Sequence, residues 1–466
     1  MSVFDKLRAL KLSTGRAYRN AKGKLYSGMT SLSGFTSLVP KRLVIEPQDL
    51  HTADPQIAQE FYSGHYALGG VTIEVNGLSP FSMQTNGDAW EKELYSFSWL
   101  RHFSSNKDTL SDSHARALVK EWIELKPDKA SKFNWEIETA SKRLISLLCH
   151  SIVILSKPDH DFHHQLMRSM GKHIKILRRL IVNAPEGMPL LYGHLALTYA
   201  SICFSGNSSS LNAHRSKLAT ELRKQILPDG GHVSRNPAMI AEILAFLLPL
   251  KEGFAAIDVA PPDELVSAIE RLLPALRFFR HGDGTIARFN GVSVTEKDLI
   301  STLLRYDESL GQPVLDASHS GYQRANSGKS ILIIDTGEPP NGELSARNFS
   351  RTLTLDNNGE RLYGQEWFSG PNKGDMRYTT RDKIALRFHL HPDIKASLST
   401  NSETCLLETR EGEQWRFDCP GFSIELVESI FFATLPAPRS TWQIVIHAKA
   451  YDNPEINWAL QKIPAT

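Results

Sequence analysis

The sequence has only four cysteines in 466 residues, Cys149, Cys203, Cys405 and Cys419, and their spacing excludes a C-x-x-C metal or redox motif. All four read as free thiols, with Cys405 and Cys419 the one pair that could face each other across a hairpin. Charge of one sign is lacking as well. Lys and Arg number 53 against 51 Asp and Glu, a net charge of +2, so no overall basic field draws the chain to nucleic acid. No apolar run approaches the ~20 residues of a membrane span, and even residues 152–155 are cut off by Ser156, Lys157 and Pro158. The first residues are basic and rich in Ser and Gly, without the unbroken apolar stretch and cleavage site of a secretory signal, so a soluble, cytoplasmic protein is expected. There is no Gly-rich phosphate loop, nucleophile elbow or dinucleotide fingerprint, and no cofactor is expected. A strict internal repeat is also missing, which counts against the common solenoid families.

What is present is enough apolar matter for two cores. The length exceeds what one core organises, and 41% hydrophobic with 22% charged residues is ordinary globular composition. From about residue 54 to 310 apolar residues recur at helical spacing, separated by short Pro, Gly or Asp signals. Ile137, Ala140, Leu144, Leu147, Leu148 and Ser151 trace one stripe, and Lys142 and Arg143 fall off it. Further helices are predicted after Pro158 and Asp159 to 181, then over 190–204, 211–227, 237–250 with Pro237 in the first position, and 263–279. Such hairpins stack as a solenoid, a bundle or a curved α/α toroid.

After Gln312 and Pro313 the pattern changes to short β-branched or alternating runs over 330–335, 352–355, 384–390, 405–409, 414–418, 422–427 and 442–447. Antiparallel strands at this spacing indicate a sandwich, with the most loop-like stretch at 336–344. The expected organisation is a basic segment 1–47, a helical domain 48–312 and a smaller β-sandwich 313–466.

The run Asp229-Gly230-Gly231-His232-Val233-Ser234-Arg235-Asn236-Pro237 resembles the D-G-G-H-x-x-R/E-x-P segment of the heparinase II/III-like polysaccharide lyases. Trp99-Leu100-Arg101-His102, Phe278-Phe279-Arg280-His281-Gly282-Asp283-Gly284 and Ser320-Gly321-Tyr322 resemble further segments of that family, in the same order. The resemblance implies an (α/α) toroid followed by a β-sandwich, β-elimination on an acidic, uronate-containing glycan, and the periplasm or cell envelope as the alternative compartment. Three departures accompany it. Where the family continues with Pro-x-Tyr-His, this chain has Pro237-Ala238-Met239-Ile240, and where an Asn-His pair is expected it has Met188-Pro189. A histidine before Ser-Thr-Leu in the sandwich is missing too, the nearest text being Phe349-Ser350-Arg351-Thr352-Leu353.

A β-eliminating site needs a group to neutralise the carboxylate, a base and an acid. On the resemblance His232 is the base, Arg235 and Asn236 meet the carboxylate, and Tyr322 is the acid. The structural alternative for this loop is a Gly-Gly turn, a helix cap at Ser234 or Asn236, and a packed His232. Trp99, Arg101 and His102, and Trp135 with Arg143, suit stacking on a sugar ring and gripping its acid groups. Arg280 and His281 close a helix, where cations also suit the dipole. Arg101, Arg143, Arg235 and Arg280 are expected to share one basic cleft for an acidic polysaccharide. No metal site is expected. His160, His163 and His164 lie at an interhelix turn, and His389 and His391 would share a strand face but lack a third ligand. The alternative to the lyase is a non-catalytic carbohydrate-binding or envelope-associated protein. A protein-binding helical scaffold would instead show an exposed apolar groove.

Overall fold

A computed structural model describes residues 42–83, 87–106, 108–125, 131–156, 160–204, 208–294, 296–308, 313–337, 348–369, 383–432, 438–449 and 453–464. Residues 1–41, Asp159 and the loop residues 338–344 lie outside these. The chain divides into two compact units: Met1–Val233 with Met239–Leu273 and Ser301–Glu308, and Ser234–Ala238 with Pro274–Ile300 and Ser309–Thr466. The architecture is a helical region followed by antiparallel β-sheets, of the toroid-plus-sandwich type.

The helical region runs through Pro55–Tyr62, Asp88–Ser96, Leu100–Ser105, Thr109–Glu124, Ile137–Cys149, Ser151–Ile154, His160–Leu180, Met188–Cys203, Ser208–Gln225, Ala238–Ala256, Asp263–Phe279 and Lys297–Leu304. Local chemistry sets the starts. Asp54 accepts from the Gln56 amide ahead of Pro55, and Asp108 accepts from the Leu110 amide. Ile137–Cys149 packs on Met188–Cys203, which packs in turn on Ser208–Gln225. Met188–Cys203 is buried on nearly every side, as a helix at the centre of a stack must be. Ile137–Cys149 departs from the sequence reading. Arg143, expected off the apolar stripe, is completely buried. A second departure is a two-stranded hairpin among the helices, β1 His65–Leu68 and β2 Val71–Glu74. Its turn is Gly69-Gly70, at φ +57° and +79°, a conformation glycine adopts at little cost.

In the second unit a three-stranded sheet comprises β3 Asp316–Ala317, β4 Tyr322–Ser327 and β5 Ser330–Asp335. A six-stranded sheet then has the order β6-β7-β14-β11-β10-β9 and another the order β12-β13-β8. Their bounds are β6 Asn348–Leu355, β7 Arg361–Ser369, β8 Lys383–His389, β9 Lys395–Leu398, β10 Thr404–Glu408, β11 Gln414–Asp418, β12 Ile424–Phe431, β13 Arg439–Lys449 and β14 Glu455–Lys462. These pairings are antiparallel, and the two sheets bury Leu386, Cys405, Phe417, Ile444, Ile446, Ile456 and Trp458 in one core. Glycine is required at 364, where an added Cβ would lie 2.0 Å from the Trp458 indole. All four cysteines are buried free thiols.

Residues 274–300 group with the sheets for a visible reason. The Arg324 guanidinium on β4 donates to the carbonyls of Phe278 and, at 3.0 Å, of Arg280. Tyr322 packs edge-on to Phe279 with ring centres 4.8 Å apart.

Candidate functional site

The Asp229–Val233 stretch is a tight hairpin fastened to the end of the Ser208–Gln225 helix. Leu227 N–H donates to the Gly231 carbonyl at 2.8 Å and Val233 N–H to that of Gln225 at 3.0 Å. The Asp229 carboxylate accepts from Gly231 N–H at 3.0 Å, and Gly230 has φ +81°. This clasp puts the His232 ring inside, 3% exposed, with Nε2 3.2 Å from Gln225 Oε1. Burial pulls its pKa down to about 4, so the imidazole is neutral at pH 7 but enclosed. Asn236 Oδ1 accepts from Ala238 N–H at 2.9 Å and so caps the following helix.

Arg235, Tyr322, Asn290 and Asp335 form one cluster within the second unit. Arg235 has φ +59° and its Nε donates to the Ser320 carbonyl at 3.0 Å, while Nη2 pairs with the Asp335 carboxylate. Its guanidinium lies over the Tyr322 ring, 5.2 Å from the centre. Tyr322 is 1% exposed and donates its hydroxyl proton to the Arg235 carbonyl, while Asn290 Nδ2 donates to that hydroxyl at 2.7 Å and to Asp335 at 3.0 Å. Burial pushes the phenol up to about 12. The expected acid and the expected carboxylate-binding arginine are therefore tied to each other and to Asp335.

The aromatic and basic residues also need correction. Trp99 is 1% exposed, donates Nε1–H to the Leu94 carbonyl at 2.9 Å, and packs on Phe61, Phe97 and Phe103; it is core, not a sugar platform. Arg143 is 0% exposed, donating to the Tyr95 and Asn134 carbonyls at 2.6 Å each and lying over the Trp122 and Trp135 rings at 4.6 and 5.0 Å. Burial lowers its pKa to about 9. Arg143, being inside, cannot line the expected basic cleft, and Arg235 is ion-paired with Asp335. Arg101, His102, Trp135, Arg280 and His281 keep partial exposure. His102 Nδ1 accepts from Asp54 N–H at 3.0 Å, and burial, aided by Arg101, lowers its pKa to about 4. Burial lowers His281 as well. β8 ends at His389, which pairs with Ser429 at 3.0 Å, while His391 lies beyond the strand beside Asp393. They do not share a strand face. Among the described residues no group of three or more His, Cys, Asp or Glu is placed to hold a metal ion.

A charged network in the helical unit escaped sequence reasoning. His51 Nδ1 donates to Asp49 at 2.6 Å, and His150 Nε2 donates to the same carboxylate at 3.1 Å. The Ser104 hydroxyl lies 2.7 Å from His150 Nδ1. On the other side of His51, 4.0 Å from Nε2, is Glu242, which accepts from the Tyr192 hydroxyl at 2.6 Å and pairs with Lys142 at 3.0 Å. Lys142 also pairs with Glu138 at 3.2 Å. Burial opposes the charge on His51, but Asp49 and Glu242 raise it to about 9. Burial likewise opposes charge on Asp49 and Glu242, yet the neighbouring histidines and Lys142 hold both well below the usual carboxylate range. Burial and Glu242 push the Tyr192 phenol well up. His51 and Lys142 are thus paired cations and Tyr192 a protonated donor, and none of the three is a base at neutral pH. The members stand from 49 to 242 in the sequence, so no spacing could have signalled them.

The fold of this chain is polysaccharide lyase-like. Over nearly its whole length it matches Heparinase III, with a TM-score of 0.66 at 11% identity covering 98% of this chain and 90% of that one. It also matches a mutant of heparan sulfate lyase HepC from Pedobacter heparinus, with a TM-score of 0.57 at 13% identity covering 97% and 88%. Residues 346–459 match the family model for the heparinase II/III-like C-terminal domain. The family match is thus to the C-terminal sheets, and over the rest of the chain the likeness is one of fold. A curated relative, FtsZ-localized protein C of Caulobacter vibrioides (strain NA1000 / CB15N), is 29% identical over 316 residues, 66% of this chain and 53% of the relative. The chain therefore spans about half the length of that relative. No helix among the described residues is long and apolar enough to cross a membrane.

Proposed function

We propose that this chain binds an acidic polysaccharide on a heparinase-type scaffold without cleaving it. The observation that carries the reading is the Arg235–Tyr322–Asn290–Asp335 cluster, in which the side chains suited to carboxylate binding and proton donation are spent on one another. Met188-Pro189 and Met239 support it, because neither side chain there can neutralise a carboxylate or carry a proton. Arg101, Trp135, Arg280, His281 and Asn236 remain the proposed glycan contacts. The Caulobacter relative is named for being FtsZ-localized and not for glycan degradation, which favours a binding role.

The test combines two readouts on the full chain with heparan sulfate and alginate: retardation in polysaccharide-containing native gels, and ultraviolet absorbance of an unsaturated product. Retardation that weakens steeply with salt, without product, is expected, since exposed ion pairs are screened within about 10 Å at 0.1 M salt. Product formation, or failure of either acidic polymer to retard the chain in a salt-dependent way, would contradict the reading. One observation favours the lyase instead: the lowered pKa of His232 keeps its imidazole in the neutral form a base requires. That reading demands product that disappears in His232→Ala.

A further inference from the structure

The six-stranded sheet turns one face to the core and one outward. Along β7 the alternation sends Leu362, Gly364 and Glu366 inward and Tyr363, Gln365 and Trp367 outward. Register carries the outward rows across the sheet. Tyr363 pairs with Ala459, Ala459 with Asp418, and Asp418 with Thr404, while Gln365 pairs with Asn457 and Gln461 with Arg416. Ala459 offers one methyl where its neighbours are long, so the face dips there. The result is a groove of about 400 Å³ lined by Tyr363, Asn457, Gln461, Arg416, Asp418 and Thr404 among others.

We propose that this outward face binds an uncharged, hydroxyl-rich oligosaccharide laid along β7. Tyr363 and Trp367 are 40% and 44% exposed, large rings that a soluble sheet has no packing reason to present. Four residues apart on one strand, they stand about 13 Å from each other, a span for an oligosaccharide and not a single sugar. A pyranose presents C–H faces to such rings and hydroxyls to the groove wall. The wall supplies both donors and acceptors. Arg416 uses Nε on Asp418 at 2.6 Å, which leaves its terminal nitrogens for a ligand, and Asp418 also holds the Thr404 hydroxyl at 2.9 Å. The Gln461 amide adds a donor and an acceptor side by side. Charge argues for a neutral ligand. On these rows Asp418, Glu408 and Glu455 balance Arg361, Arg416 and Lys395, with Glu403 beside the groove, so no basic field is there to hold a polyanion. The inference does not rest on the acidic-polysaccharide reading.

The test is native affinity electrophoresis of the full chain in gels containing hydroxyethylcellulose, xylan, β-glucan or glycol chitin, with heparan sulfate as the acidic probe. At least one neutral polymer is expected to retard the chain, and Tyr363→Ala or Trp367→Ala to weaken that association about tenfold or more, as loss of a central aromatic anchor does. Both rings are well exposed, so the variants keep a near-native Tm, which separates lost binding from lost folding. Quenching or enhancement of tryptophan fluorescence by the matching oligosaccharide should vanish in Trp367→Phe. Retardation by no neutral polymer, or retardation that survives in both folded alanine variants, overturns the proposal. So does loss of heparan sulfate binding alone in those variants, whereas failure of heparan sulfate to bind at all bears only on the reading of the previous section.

Discussion

Arg143 has two carbonyls and three aromatic rings around its guanidinium and 0% exposure, so its contribution is to the stability of the helical unit. Arg143→Met strips the Tyr95 and Asn134 carbonyls of their donors and should cost about 2–5 kcal/mol, read as a lower urea midpoint. Unchanged stability with lost glycan binding would return Arg143 to the binding surface. Tyr322→Phe removes a buried hydroxyl that accepts from Asn290 and donates to the Arg235 carbonyl. A loss of about 1–3 kcal/mol is expected, with glycan retardation intact at temperatures where the variant is folded. If retardation falls while Tm holds, the tyrosine faces ligand. These residues also mark where sequence reading stops. A tryptophan and an arginine suit a sugar cleft and a core equally by type. What decides between them is burial by segments far along the chain, as Tyr95 encloses Arg143 from 48 residues away.

The helices and strands themselves were legible because periodicity records which face each buries. The run over 414–418 and the helix 263–279 stand where alternation and capping put them. Boundaries elsewhere moved by a few residues, as at β12, and the hairpin β1–β2 was passed over although Gly69-Gly70 between alternating runs is a turn signal. Four-residue strands carry too little alternation to stand out among helices. At this scale the Asp49–His51–Glu242 network joins the segment before the first helix to the Ala238–Ala256 helix. His51 is raised above its unfolded value, so it contributes stability that is complete below about pH 6.5 and lost as pH rises through about 9. Asp49 and Glu242 are depressed, so their contribution is present at neutral pH and lost as pH falls through the acid range. Chemical unfolding of the helical unit should therefore show an alkaline decline between about pH 6.5 and 9 that flattens in His51→Gln. A wild-type profile flat over that window would contradict the pairing. In the sandwich, Glu366 is fully buried against Arg351 at 2.7 Å and the Trp458 indole N–H at 3.0 Å. Glu366→Ala strips the buried Trp458 indole N–H of its acceptor, while the exposed Arg351 turns to water, and should cost about 1–3 kcal/mol by the same unfolding measurement; no measurable cost would contradict the indole contact.

The whole molecule combines a fold shared with polysaccharide lyases and a site whose Arg235, Tyr322 and Asn290 are tied to one another and to Asp335. The order helical region then sandwich could be read from the change of periodicity near residue 313, and the lyase-like fold was implied by the resemblance of 229–237 and its companion segments. Why those segments persist could not be read there. In the structure the D-G-G-H run closes a hairpin on a helix end and the following arginine anchors Asp335, both of which a scaffold needs whether or not it cleaves anything. The central claim is that catalysis is absent because the proton-carrying groups are committed elsewhere. It is tested most directly by following ultraviolet absorbance of wild-type protein incubated with heparan sulfate, alginate and other uronate polymers from about pH 5 to 9. The account predicts no unsaturated product on any polymer, including those that retard the chain. Product that accumulates with wild type and is lost in His232→Ala or Tyr322→Phe at equal folded fraction would contradict it.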